Sequence, residues 1–436
     1  MDYLVSPSVL NNDTITVPGD KSITHRALIL ASIADGKSEI NGYLNSDDCL
    51  STLRALKKLG VSIEKINSTK IIVNGVGLDG LTSPEMDLDL GNSGTSMRLL
   101  AGLLSGQSFD TTLVGDNSLS SRPMKRIIYP LSLMGANIQS DRGYPPLTIK
   151  AVRHLETINY EIPIASAQVK SAILFSTLYT KGHSVIKENS ITRDHTEKMF
   201  SLMDISMMKK DGSITIKGKQ TPKASSIDIP ADLSSASFFI VAALISKNSE
   251  LLITDVGINP TRCGILSILR EMGANIEVYN KRFMSGELIA DIFVRSSKLK
   301  GIDISPEYTP LSIDEFPILF IAAAMADGVT KFSGIHELRV KESDRISSMV
   351  TGLKTLGIKV DEQESGAIIK GGNISGGIVN SNGDHRIAMA FAIAGSRAKD
   401  IIRIIDTDVV NTSFPDFLKI LKNSGIDISE KPSDYE

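Results

Sequence analysis

The chain has 436 residues but only two cysteines, no tryptophan and no uncharged stretch long enough to cross a bilayer. Cys49 and Cys263 show no metal-type spacing, which argues against both a disulfide framework and a structural zinc site. Neither sign of charge dominates. With a net charge of -3 there is no basic excess to neutralise a nucleic-acid backbone. The opening M-D-Y-L-V-S-P lacks a basic segment followed by an apolar one, so no secretory signal is visible. These absences predict a cytoplasmic protein that binds neither nucleic acid nor membrane. The missing tryptophan excludes nothing. A chain of this length, 42% hydrophobic and 22% charged, is too long for one ordinary core, so two domains are expected.

Six apolar runs organise what is present. They begin at Arg26 (R-A-L-I-L-A-S-I-A), Met97 (M-R-L-L-A-G-L-L), Ser171 (S-A-I-L-F-S-T-L-Y), Ala236 (A-S-F-F-I-V-A-A-L-I), Pro317 (P-I-L-F-I-A-A-A-M-A) and Arg386 (R-I-A-M-A-F-A-I-A). Each follows a cluster of polar or charged residues. A helix apolar on all sides is a buried helix. Its first turn still presents unpaired N–H groups and a partial positive charge. Six such ends carrying polar residues point to a site for a small, strongly anionic substrate.

A second motif recurs in step with the first: leucine, two residues, Leu or Met, glycine, then an alternating strand. It stands at Gly60, Gly135, Gly273 and Gly357, with a looser copy at Gly425 and a degenerate one at Asp204. The spacings are 75, 69, 69, 84 and 68 residues, too regular for unrelated helix stops. Each repeat reads as strand, buried helix, strand, amphipathic helix, glycine stop and strand. The first amphipathic helix, near Asp47 to Leu59, is half charged and is expected to face solvent. Buried helices must be covered by sheets, the inverse of a doubly wound fold. Three repeats per domain are expected.

The polar clusters carry the chemistry. P-G-D-K-S-I-T-H-R (18–26) puts Lys21 at a helix start, against the helix dipole. Such a broken local rule suggests an anion grip of Lys21, Ser22 and Arg26, although a surface lysine beside an N-cap serine has the same pattern. G-N-S-G-T-S-M-R (91–98) lets backbone N–H groups approach a phosphate, yet it is neither a Walker loop nor a dinucleotide fingerprint. R-V-K-E-S-D-R (339–345) packs five charges into seven residues, which suits a solvated face as well as a site. Asp314 and Glu315 directly precede a buried helix, and Arg386 opens another beside His385, a group able to exchange protons. Residues 120–125, 166–172 and 192–198 add Arg, Gln and Lys at repeat starts. No nucleophile triad or zinc-protease pattern is present.

These segments, with S-A-Q-V-K-S (166–171), D-E-F-P (314–317) and D-H-R-I-A-M (384–389), resemble in kind and order the motifs of the enolpyruvyl transferases, over nearly the whole chain. R-P-M (122–124) and R-D-H-T-E-K (193–198) are similar to the bacterial subclass often called class II. The resemblance implies a two-domain inside-out α/β barrel of six βαβαββ repeats, with residues 1–19 plus 236–436 in one domain and 20–235 in the other. The chain would cross near Asp20 and Ser235, and the active site would lie in the interdomain cleft. The implied reaction transfers the enolpyruvyl group of phosphoenolpyruvate to the 5-hydroxyl of shikimate 3-phosphate by addition and elimination. It needs no metal and no cofactor, and a monomer is expected.

The resemblance also assigns residues. Lys21, Ser22 and Arg26 would hold shikimate 3-phosphate, with Lys21 bordering phosphoenolpyruvate and assisting catalysis. Ser166, Ala167, Gln168 and Arg193 would add contacts, Arg193 facing the 3-phosphate and Gln168 touching both substrates. Gly94, Arg122, Arg345 and Arg386 would clamp phosphoenolpyruvate. Asp314 and Lys341 would meet the ring hydroxyls. Asp314 would be the base toward the attacking hydroxyl, and Glu342 would exchange protons with the methylene carbon. Where some relatives have a lysine before F-P-D, this chain has Thr412. The alternatives are the UDP-N-acetylglucosamine branch, whose mobile loop carries a reactive cysteine absent near Asp116–Lys125, and a non-catalytic anion-binding protein.

Overall fold

All six apolar runs are helices, and the strands between them wrap around these helices. The computed structural model describes residues 1–11 and 13–433. The helices are Lys21–Ser32, Gly94–Leu104, Ala167–Thr177, Leu233–Ile245, Phe316–Ala324 and His385–Gly395. Every residue of the last three is buried. Helices this apolar gain from burial on all faces, roughly 1.5–3 kcal/mol for each large aliphatic side chain. Close helix contacts demand small residues. A methyl group on Gly102 would sit 2.2 Å from the Ala172 carbonyl oxygen, so glycine there lets the Gly94 and Ala167 helices touch.

Among the described residues the strands form six sheets, one per repeat. The first shows the plan. Ser226–Asp228 runs parallel to Asp35–Asn41, which pairs antiparallel with Lys70–Val76, which in turn pairs antiparallel with Ser62–Lys65. The parallel step needs a crossover, and the inward helix supplies it where the two strands are consecutive, as between Leu88–Asp89 and Thr111–Val114, Asn159–Ile162 and His183–Glu188, and Gly377–Asn380 and Ile402–Ile405. Three sheets borrow a distant strand. Ser226–Asp228 closes the first, Asp13–Ile15 pairs with Glu250–Gly257 in the fourth, and Asp2–Val5 lies between Ile402–Ile405 and Ile428–Lys431 in the last. In the fifth repeat isolated parallel bridges, Lys300 to Asp327 and Asp303 to Lys331, stand in for the opening strand.

The repeated helix stop holds at all six places. Gly60, Gly135, Gly273, Gly357 and Gly425 have φ between +82° and +92°, and the degenerate copy Asp204 takes the same left-handed conformation at +63°. Aspartate tolerates that region better than most side chains, which explains how the copy could drift.

Two compact units result. The N-lobe contains Gly19–Ile229 and the turn Phe283–Glu287; the C-lobe contains Met1–Pro18, Pro230–Arg282 and the residues from Leu288 onward. The second crossing therefore precedes Pro230 rather than falling near Ser235. Ala231 already bridges to Val256, and Asp232 pairs with Arg262 at 2.9 Å, both within the C-lobe. The Asp47–Lys58 helix is also less exposed than its charge suggested. Cys49, Leu53 and Leu56 form a buried stripe at helical spacing while Arg54, Lys57 and Lys58 take the outer side. No helix among the described residues is long and apolar enough to cross a membrane.

Candidate active site

In the N-lobe, three helix starts are tied together by their own side chains. Asp20 caps the Lys21 helix by accepting from the Ile23 N–H at 2.8 Å. Lys21 Nζ lies 2.9 Å from Asp48 Oδ2, so the unfavourable lysine at this helix start is offset by a carboxylate from the next helix. Arg26 is buried and fully engaged: Nε donates to Thr196 Oγ1 (2.7 Å), Nη2 to Ser171 Oγ (2.7 Å) and Nη1 to the Ser22 carbonyl (2.8 Å). Burial draws its pKa down to about 10, with Arg193 acting in the same direction and Glu197 and Asp20 opposing. It remains a cation at neutral pH.

The other two starts meet through Gln168. Ser166 caps the third helix, and Ala167 is its first residue. Gln168 Oε1 accepts from Arg98 Nη1 at 2.7 Å, and its Nε2 donates to Thr95 Oγ1 at 2.8 Å. Gly94 is the first residue of the second helix. A methyl group there would stand 2.9 Å from Arg98 Nη1 and 3.3 Å from Arg122 Nη1, so two guanidinium groups gather over this glycine. Arg122 is held by the Asn92 carbonyl (3.1 Å), Asn92 Oδ1 (2.6 Å) and Ser118 Oγ (2.9 Å). Arg193 is half-buried just before the His195–Leu202 helix. The N-lobe thus presents Lys21, Arg26, Arg98, Arg122 and Arg193 beside three helix N-termini, a set suited to phosphate and carboxylate.

The C-lobe gathers carboxylates around one guanidinium. Arg345 is 1% exposed at the start of the Arg345–Thr355 helix. Its Nη1 lies 3.5 Å from Asp314 Oδ1, its Nη2 2.6 Å from Glu342 Oε2, and its Nε 2.7 Å from Asp384 Oδ2. Burial works against the charge, but Asp384, Glu342 and Asp314 more than compensate and push the arginine pKa up. Lys341 Nζ is 3.9 Å and Arg386 Nη2 4.0 Å from the Asp314 carboxylate, and Arg386 Nη1 donates to the Asp314 carbonyl at 3.1 Å. Asp384 caps the last inward helix by accepting from the Arg386 N–H at 2.9 Å. Asp314, Lys341, Glu342, Arg345 and Arg386 are therefore neighbours, although they come from two separate segments and a helix start.

The family model described as EPSP synthase (3-phosphoshikimate 1-carboxyvinyltransferase) matches residues 7–421. This chain belongs to the EPSP synthase family. It is 50% identical over 428 residues to the 3-phosphoshikimate 1-carboxyvinyltransferase of Alkalilimnicola ehrlichii, covering 98% of this chain and 96% of that one. Its counterpart in Coxiella burnetii is 50% identical over 429 residues, 98% of each chain. A solved EPSP synthase from Acinetobacter baumannii superposes with a TM-score of 0.87 at 44% identity, covering 99% of this chain and 100% of the other. The two-domain α/β fold expected from the motifs is the fold of this family.

Several residues that hold this candidate site together lie outside the motif assignments. Arg98 lies inside the quoted G-N-S-G-T-S-M-R segment, and its position one helical turn after Gly94 was the available signal. Asp384 lies inside G-D-H-R, where attention fell on Arg386 and His385; His385 is buried in the first turn of its helix. Asp48 lies in no quoted motif, and Lys170 lies inside S-A-Q-V-K-S, where the resemblance assigns only its neighbours. Thr412 donates its hydroxyl to the Val409 carbonyl at 2.7 Å, a local contact that takes no part in either cluster.

Proposed function

We propose that the chain transfers the enolpyruvyl group of phosphoenolpyruvate to the 5-hydroxyl of shikimate 3-phosphate, releasing phosphate, as a step of aromatic biosynthesis. The observation that carries this reading is the single buried guanidinium of Arg345, which holds both Asp314 and Glu342. Addition across an enol phosphate needs one base toward oxygen and one acid toward carbon, and two positioned carboxyl groups, one ionised and one protonated, supply both. Asp314 takes the proton of the 5-hydroxyl as its oxygen bonds to C2 of phosphoenolpyruvate. Glu342 gives a proton to the methylene carbon C3. Elimination then reverses the carbon step: Glu342 regains a proton from C3, the double bond reforms, the bond from C2 to the bridging oxygen breaks, and the proton held by Asp314 leaves with the phosphate. Lys21 and the N-lobe arginines stabilise the charge on the departing phosphate.

In this reading Lys21, Ser22, Arg26, Ser166, Ala167, Gln168, Arg193, Asp314 and Lys341 hold shikimate 3-phosphate. Lys21, Gly94, Arg122, Gln168, Arg345 and Arg386 hold phosphoenolpyruvate. Residues of both lobes then serve one pair of substrates. A phosphate-release assay without added metal tests the function. Release is expected with shikimate 3-phosphate and not with UDP-N-acetylglucosamine. The opposite acceptor preference would assign the sister activity, and tight binding without release would leave only an anion-binding protein. The sister activity also needs a reactive thiol. Cys49 is buried, and burial pushes its pKa well up, disfavouring the thiolate.

Arg122→Ala and Arg386→Ala should each weaken phosphoenolpyruvate. A hydrogen bond to a charged group is worth roughly 1.5–3 kcal/mol, so the loss should be about 10–150-fold. Calorimetric titration of the free variants with shikimate 3-phosphate should give near wild-type affinity. A larger loss for that ligand would place these arginines on the acceptor side instead.

A further inference from the structure

Glu287 lies outside every motif and outside the roles assigned above, yet it is a buried charge with two buried or half-buried partners. It belongs to the turn Phe283–Glu287, which is part of the N-lobe. The residue is 4% exposed. Its Oε1 is 2.7 Å from His195 Nδ1, and its Oε2 is 3.1 Å from Lys198 Nζ. Burial alone would raise its pKa, but His195 and Lys198 hold it at about 2, so it stays ionised. His195 and Lys198 are the first and fourth residues of the His195–Leu202 helix.

The same first turn carries the groups that organise the phosphate end of the site. Thr196 takes the Arg26 Nε at 2.7 Å. Glu197 pairs at 2.9 Å with Lys170, which is 1% exposed and also pairs with Glu188 at 2.8 Å. Glu188 in turn accepts from the Thr192 hydroxyl. The segment carrying Arg193 is thus tied through Lys170 to its preceding strand, and it runs directly into the helix that Glu287 clamps. Arg193 is close enough for its charge to lower the pKa of Arg26. These contacts do not include Gly94 or Arg122.

We propose that Glu287 is a positioning residue for the acceptor substrate: by clamping His195 and Lys198 it fixes the helix start that places Arg193, and Arg26 through Thr196, on the 3-phosphate. The proposal rests on the reading above that Arg193 and Arg26 hold shikimate 3-phosphate. It predicts a loss confined to that ligand, because a helix start free to shift would misplace Arg193 while leaving the phosphoenolpyruvate arginines in register.

The test is a double-mutant cycle of Glu287→Gln with Arg193→Ala, read as shikimate 3-phosphate affinity by calorimetry. Coupled residues interact by amounts that make a loss on the order of tenfold the expectation for Glu287→Gln. In the Arg193→Ala background the same change should cost clearly less than it does alone, because only the route through Arg26 remains. The KM for phosphoenolpyruvate at saturating shikimate 3-phosphate, and kcat, should stay within about twofold of wild type. Lys198→Met removes one of the two clamped partners and should give a smaller loss of the same kind; it decides the question if Glu287→Gln does not fold. Wild-type affinity in both variants, equal losses for both substrates, or full additivity with Arg193→Ala would overturn the role of Glu287. An Arg193→Ala variant that binds shikimate 3-phosphate normally would overturn the phosphate assignment itself, and the positioning role with it.

Discussion

Asp314→Asn and Glu342→Gln are each expected to cut turnover by about 10²–10⁴-fold while changing the affinity for shikimate 3-phosphate far less. Both substitutions keep shape and remove a proton acceptor. Both acids sit on Arg345, at 3.5 Å and 2.6 Å, so each variant keeps an oxygen for that guanidinium and loses mainly its basicity. The two should differ in a second readout. Glu342 is assigned to carbon, so Glu342→Gln should abolish exchange of solvent deuterium into the methylene group under turnover conditions. Turnover within a few-fold of wild type in both variants would remove these carboxylates from the chemistry.

Asp384→Ala should be the most destabilising change in the C-lobe site, by about 3–5 kcal/mol, because breaking a buried ion pair strands the partner charge. Asp384 is fully buried and accepts from Arg345 Nε (2.7 Å) and Nη2 (3.3 Å) as well as from the Arg386 N–H. Its loss would release the arginine that aligns Asp314 and Glu342, and it would uncap the helix that starts at His385, which adds about 1 kcal/mol. Urea denaturation should show a clear drop in midpoint, and phosphoenolpyruvate affinity should fall in the folded fraction. A loss below about 1 kcal/mol would mean that other groups already balance Arg345.

The six inward helices were legible because their pattern is apolar on every side, a property of the local sequence alone. The stops were legible for the same reason, down to Asp204, whose left-handed φ of +63° matches the glycines of the other repeats. Among the candidate-site cations, Lys21 stood out because it breaks a local rule at its helix start. Their partners did not stand out, because nothing in the sequence links residues so far apart. His195 and Glu287 are separated by 92 positions, Arg345 and Asp384 by 39, and Lys21 and Asp48 by 27. A carboxylate such as Asp48 in an amphipathic helix has the same local pattern whether it meets water or, as here, the Lys21 ammonium. The second lobe crossing was misplaced by a similar cause: Asp232 commits the chain to the C-lobe through Arg262, a contact with no sequence trace.

The central claim is that bond breaking occurs at carbon and not at phosphorus. Phosphoenolpyruvate carrying a heavy-oxygen label only in the oxygen that bridges C2 and phosphorus tests it directly. Turnover with shikimate 3-phosphate, followed by mass analysis of the released phosphate, should find the label in the phosphate, because elimination breaks the bond from C2 to that oxygen. Unlabelled phosphate, with the label kept on the three-carbon fragment, would mean phosphoryl transfer and would contradict the roles given to Asp314, Glu342 and Lys21.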